Sequence, residues 1–173
     1  MKLFLTNDDG IFGKGLNSLA KSLADGNNEV FVIAPDRERS ACGHSLTINN
    51  PIKYNKINLI NGVESYKTDG TPADCVKFGL SMLYKGRPDL LISGINYGAN
   101  LGTDILYSGT VSAAFEGRIL GQKAIAVSIP EHQPDEKAVQ ATVDFIKQNL
   151  EVFCSLEMPE KTVLNINHPN TPE

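Results

Sequence analysis

The sequence contains no tryptophan and only three cysteines, Cys42, Cys75 and Cys154. An odd number of thiols at spacings that match no zinc pattern excludes a disulfide scaffold and a zinc-finger module, and predicts free thiols in a reducing compartment. No apolar run approaches the length of a membrane span. The apolar stretch Leu3-Phe4-Leu5 is too short for a signal-peptide core and is followed at once by two aspartates. A cytoplasmic location is expected, with no membrane partner. Basic excess is missing as well: 16 Lys and Arg stand against 20 Asp and Glu, a net charge of −4. The densest positive cluster, Asp36-Arg37-Glu38-Arg39, alternates base with acid. A polymeric nucleic acid is therefore not expected as an obligate partner, whereas one small phosphorylated ligand needs only a local site.

What is present is an ordinary globular composition over 173 residues, 41% hydrophobic and 21% charged, enough for a single domain over 1–173 with a sizeable core. Apolar bursts alternate with helical spacing. Leu3–Leu5, Val30–Ala34, Asp89–Ile92, Ala124–Val127 and Val163–Ile166 read as buried strands, the second stopped by Pro35. Leu16, Leu19, Ala20 and Leu23 mark one helix; Val139, Val143, Ile146 and Leu150 mark another. Thr71-Pro72-Ala73-Asp74 carries the signals of a helix start, and Cys75, Val76, Gly79, Leu80 and Leu83 supply its apolar face. Thr110–Leu120 reads as a helix with Ala113 and Ala114 for close packing. The stretch 48–60 gives short, polar, edge-like strand pieces, and Ser93–Gly109 a loop. Such alternation predicts an α/β fold with a mainly parallel sheet covered on both faces and right-handed connections. Ligands of open sheets of this kind lie outside the carboxyl ends of the strands.

Three of those ends are rich in oxygen. The first strand leads into Thr6-Asn7-Asp8-Asp9-Gly10. Two adjacent carboxylates repel unless they are solvated or share a cation, and hard oxygen ligands select Mg²⁺, Mn²⁺ or Ca²⁺; a solvated Asx turn is the plainer alternative. The second strand leads into a loop carrying Ser40 and His44. His44 is a ligand, an acid or, more plainly, a hydrogen-bonded structural residue. The strand from Asp89 leads to Asn96 and a Gly- and Asn-rich stretch. Then comes Tyr107-Ser108-Gly109-Thr110, at a helix N-terminus that offers free N–H groups to an anion or a cap to the helix. Neither a Walker lysine nor a GxGxxG fingerprint is present.

These segments, Leu5–Gly10, Ala34–Ser45, Asp69–Asp74, Ser93–Asp104 and Tyr107–Gly117, resemble in content and order the SurE family, stationary-phase survival proteins that act as 5′/3′-nucleotidases. The resemblance implies a Rossmann-like three-layer αβα sandwich and one divalent metal ion, Mg²⁺ or Mn²⁺, at a site that also admits Ca²⁺. It implies hydrolysis of nucleoside monophosphates, with short polyphosphate as a further substrate. By motif position the metal ligands fall on Asp8, Asp9, Ser40 and Asn96, the two aspartates being catalytic, and the phosphate pocket on Ser108, Gly109 and Thr110. The expected mechanism is metal-assisted hydrolysis, with Asp8 or Asp9 taking or orienting the proton of the attacking water. A covalent aspartyl-phosphate is the enzymatic alternative, and a nucleotide-binding regulator without turnover the other class. Ala41 stands where the family loop usually has its first glycine, which favours a somewhat different bend beside Ser40. Family members are homo-oligomers. The chain ends in a proline-rich turn, Asn167–Glu173, so that segments used for assembly are expected to be missing and self-association weakened.

Overall fold

The computed structural model describes residues 1–25 and 28–169; the last four residues of the proline-rich end lie outside this range. Seven strands form one sheet: β1 (Lys2–Thr6), β2 (Glu29–Pro35), β3 (Tyr54–Ile57), β4 (Glu64–Thr68), β5 (Leu90–Tyr97), β6 (Ala124–Ile129) and β7 (Leu164–Asn167). Their order is β3-β4-β2-β1-β5-β6-β7. Every pairing is parallel except β3 with β4. The described residues also form five α-helices, α1 (Lys14–Ala24), α2 (Pro72–Phe78), α3 (Gly109–Ile119), α4 (Glu136–Gln148) and α5 (Leu150–Ser155), with a π-helical turn at Gly79–Leu83 and a 3-10 turn at Gly102–Leu106. Without β3, the strands follow the order 3-2-1-4-5-6 of a doubly wound dinucleotide-binding sheet.

Strand side chains alternate between faces, and the core divides accordingly. Leu3, Leu5, Val32, Ile92, Ile125, Val127 and Ile129 pack with Leu16 and Leu19 of α1 and with Val143 and Ile146 of α4. Phe4, Phe31, Ile33, Leu91, Ala124 and Ala126 pack with Cys75 and Val76 of α2 and with Ala113 and Ala114 of α3. The small residues of α3 permit close approach to β5 and β6, as expected: a Cβ on Gly117 would lie 2.9 Å from Leu91 Cδ1.

One connection differs from expectation. α3 and α4 both carry the chain one strand outward, from β5 to β6 and from β6 to β7, yet they lie on opposite faces. The β6–α4–β7 crossover therefore has the opposite hand to those through α1, α2 and α3. Burial explains the departure. The α2/α3 face of β6 is already covered by α3, whereas Ile125, Val127 and Ile129 on the other face would meet water if α4 did not cross to join α1.

Local signals account for most boundaries. Thr71 and Asp74 form a capping box at the start of α2: Asp74 N–H donates to Thr71 Oγ1 (3.0 Å) and Thr71 N–H to Asp74 Oδ2 (2.9 Å). Asp135 caps α4 through Ala138 N–H (2.8 Å). Three boundaries differ from the sequence reading. Pro35 is the last residue of β2 rather than its stop; it has no N–H to donate but its carbonyl accepts from Ile11 N–H (2.8 Å). β4 falls in a polar segment, Glu64-Ser65-Tyr66-Lys67-Thr68, whose buried members are Ser65 and Thr68, so hydropathy carries no signal for it. β5 runs on to Tyr97 through residues expected as loop.

Candidate active site

The order reverses at β1, which lies between β2 and β5, and the crevice beyond the carboxyl ends of β1 and β5 receives the oxygen-rich loops. Thr6 pairs with Ser93 in register, so Asp8 and Asp9 leave β1 beside the extension of β5 that carries Asn96. The register of β5 against β6 shifts between Ser93 and Asn96. Gly94 within the shift has φ +138°, and a Cβ there would lie 2.3 Å from the Val127 carbonyl oxygen. Only glycine fits, and the irregularity re-aims Asn96 relative to a regular strand.

Asp8 is nearly fully buried. Its Oδ1 accepts from the hydroxyl of Thr110, itself fully buried at the first turn of α3. Its carbonyl accepts from Arg39 N–H (2.7 Å), which ties the Ser40 loop to the β1 loop. A Cβ on Gly109 would lie 2.8 Å from Asp8 Cβ and 3.1 Å from Cys42 Sγ, so three segments meet at the start of α3 with no room for a larger residue. Asp9 is partly buried and rests against α1, where a Cβ on Gly13 would lie 3.0 Å from its Cβ.

The electrostatics of the pair are unfavourable without a cation. Burial raises the Asp8 carboxyl above its usual range, partly offset by the Thr110 hydrogen bond. Burial, then the charges of Asp8 and Glu38, push Asp9 up to about 7. Among the described residues the ion pairs are Arg39–Asp36, His44–Glu116, Lys56–Glu64 and Lys77–Glu116, and none reaches Asp8 or Asp9. Three buried oxygens at the same strand ends, Thr6 Oγ1, Asn7 Oδ1 and Ser93 Oγ, have no hydrogen-bond partner among the described residues. Two desolvated carboxylates amid neutral oxygens suit a hard divalent cation. No three His, Cys, Asp or Glu side chains among the described residues converge on one point, so such an ion would draw on neutral oxygens for the rest of its shell.

The other candidates are placed as follows. Asn96 is half-buried and its Nδ2 donates to the Gly98 carbonyl (2.8 Å), which orients the amide. Ser40 is exposed and its hydroxyl donates to Glu38 Oε1. Ala41 has φ +54°: the bend is left-handed even though an alanine stands there, and not the different bend that alanine favours. Ser108 Oγ accepts from Val111 N–H (3.1 Å) as the cap of α3, while Thr110 is spent on Asp8. His44 Nε2 bonds Glu116 Oε2 (2.8 Å) on α3 and its ring meets Phe115 edge-on, a clasp between loop and helix. Glu38 and Tyr97 escaped the sequence reading. Glu38 bears on both aspartates, yet between two arginines it reads as neutralised. Burial, then the charge of Asp9, raises the Tyr97 phenol; a tyrosine in a glycine-rich stretch gives no such signal.

Fold and site together define a doubly wound α/β protein with a carboxylate pair at its switch point. The family described as "Survival protein SurE" matches residues 3–173. The "5'-nucleotidase SurE" of Desulforamulus reducens is 47% identical over 171 residues, covering 98% of this chain and 67% of that protein. That of Thermosynechococcus vestitus is 45% identical over 174 residues, 99% of this chain and 65% of the relative. The crystal structure of the SurE protein from Aquifex aeolicus superposes with a TM-score of 0.81 at 45% identity, covering 99% of this chain and 67% of that one. The chain belongs to the SurE family, and it spans about two thirds of the length of these relatives. No helix among the described residues is long and apolar enough to cross a membrane.

Proposed function

We propose that the chain carries the active site of a divalent-metal-dependent phosphatase, which hydrolyses nucleoside 5′- and 3′-monophosphates to nucleoside and inorganic phosphate and also takes short polyphosphate. The observation that carries this reading is the desolvated Asp8–Asp9 pair, with no cationic side chain on it, at the start of α3. The printed names of the relatives, 5′-nucleotidases, support the same reading. A bound Mg²⁺ or Mn²⁺, held by Asp8 and Asp9 with Asn96 and Ser40, would neutralise the pair, polarise a phosphoryl oxygen and make the attacking water more acidic. The protein's own groups do the rest. Thr110 fixes the Asp8 carboxylate, and Asp9, the more accessible of the two, orients the attacking water and takes its proton. The first N–H groups of α3, at Gly109 and Thr110, with the Ser108 hydroxyl beside them, stabilise charge on the transferring phosphoryl group.

The test is phosphate release from nucleoside monophosphates with added Mn²⁺ or Mg²⁺, for the parent chain and for Asp8→Asn and Asp9→Asn. Each variant should stay folded and lose most turnover. Normal turnover in either at saturating metal would remove the proposed site. Nucleotide binding by the parent chain without phosphate release would make it a regulator instead.

A further inference from the structure

A groove of about 840 Å³ lies on the α1/α4 side of the sheet, lined in part by the loop that follows the carboxylate pair. Phe12, Lys14, Asn17, Tyr97, His132 and Gln133 are among the residues that line it. Two of its lining residues are close neighbours of the site. Phe12 lies three residues beyond Asp9 on the same loop, next to Gly13, where a Cβ would lie 3.0 Å from Asp9 Cβ, and Tyr97 follows Asn96 at the end of β5. The groove exists because α4 crosses to the α1 face, which sets the β6–α4 loop against the end of β5: a Cβ on Gly98 would lie 3.0 Å from the His132 ring.

The lining is suited to a flat, uncharged ligand. Phe12 is 69% exposed, the highest value for any aromatic residue described. Neither it nor Tyr97 pairs with another aromatic ring among the described residues, although nine other Phe and Tyr rings and two histidines pair elsewhere. Lys14 on α1 is balanced by Glu136 on α4, so the groove holds no net charge to attract a second phosphate. Its amides and imidazole offer donors and acceptors to the edge of a ring. Asn17 Nδ2 is already bonded to the carbonyls of Ile11 (3.0 Å) and Gly13 (2.8 Å), which fixes the loop that presents Phe12. Its size is that of a small-molecule pocket, about 300–1,000 Å³.

We propose that this groove is the nucleoside subsite: the base stacks on Phe12 and Tyr97 while its phosphate lies at Asp8 and Asp9, so these two rings determine preference for nucleotides over other phosphate monoesters. The inference rests on the phosphatase reading above and deepens it. Base–aromatic stacking tolerates any base, because every base has a π-face; the groove therefore selects for a nucleoside and discriminates weakly among bases.

The test compares adenosine 5′-monophosphate with ribose 5-phosphate, which lacks the base. Phe12→Ala should lower the ratio of their kcat/KM values about 10-fold, mainly through KM for the nucleotide. An unchanged ratio would overturn the proposal. A second variant keeps it testable if the parent chain releases no phosphate. The sequence has no tryptophan, so Phe12→Trp installs a lone fluorophore that still stacks. Saturable quenching of its emission by adenosine would then support the groove while the phosphatase reading falls. In that case, absence of quenching would overturn the groove as well.

Discussion

Asp9→Asn removes one charge from a crowded pair while keeping the shape of the side chain. A carboxyl raised from 3.8 to about 7 on folding holds its proton more tightly in the folded than in the unfolded chain. Stability therefore declines as pH climbs from about 4 to about 7, and the loss is complete above that window. At ~1.4 kcal/mol per pKa unit the ceiling is about 4 kcal/mol. Asp9 is partly exposed, and solvent screening leaves roughly half, about 2 kcal/mol. For a domain of this size that is roughly 4–8 °C in Tm. In EDTA at pH 8, Asp9→Asn should therefore melt above the parent, and at pH 5 less than half of the gain should remain. Adding Mn²⁺ or Mg²⁺ should raise the parent's Tm more than the variant's, because only the parent offers both charges to the cation. Differential scanning calorimetry across pH, with and without metal, measures all of this. A variant less stable than the parent at pH 8 in EDTA, or a gain independent of pH, would show that the Asp9 carboxylate is well solvated and the reasoning wrong.

Thr110→Val keeps the buried volume but frees Asp8; kcat should fall roughly 10–100-fold, the range for groups that orient a metal ligand, with little change in far-UV circular dichroism. Ser40→Ala and Asn96→Ala should each weaken metal affinity by roughly the same factor; unchanged calorimetric titrations for both would mean that their loops do not converge on the aspartates. Ala41→Gly should stabilise the protein. Alanine at φ +54° costs about 1–2 kcal/mol relative to glycine, of which the more flexible unfolded chain returns roughly 0.4–1 kcal/mol. A rise of about 1–4 °C is expected, and a fall of similar size would place residue 41 at negative φ.

Continuous apolar strands are legible in a sequence because burial on both faces leaves no polar alternation to obscure them; Leu3–Leu5 and Val30–Ala34 are such cases. So is the capping box at Thr71 and Asp74, which depends on residues three positions apart. The carboxylate pair stands out for the same reason, since two adjacent charges repel wherever they are placed. The apolar strands, this helix start and the acidic loop were thus determined by the sequence alone, whereas the polar β4 was not. Only the tertiary structure decided what depends on distant segments meeting. Thr110 is a cap or an anion contact until the fold lays it, 102 residues along the chain, on Asp8. Glu38 reads as neutralised by its arginines until the fold turns Arg39 to the Asp69 carbonyl and leaves the carboxylate's charge to bear on Asp8 and Asp9. The crossing of α4 to the α1 face is decided by which face of β6 is still bare once α3 has packed. Periodicity gives a helix an apolar side but not the surface it will cover, and burial settles that choice only when the other layers are in place.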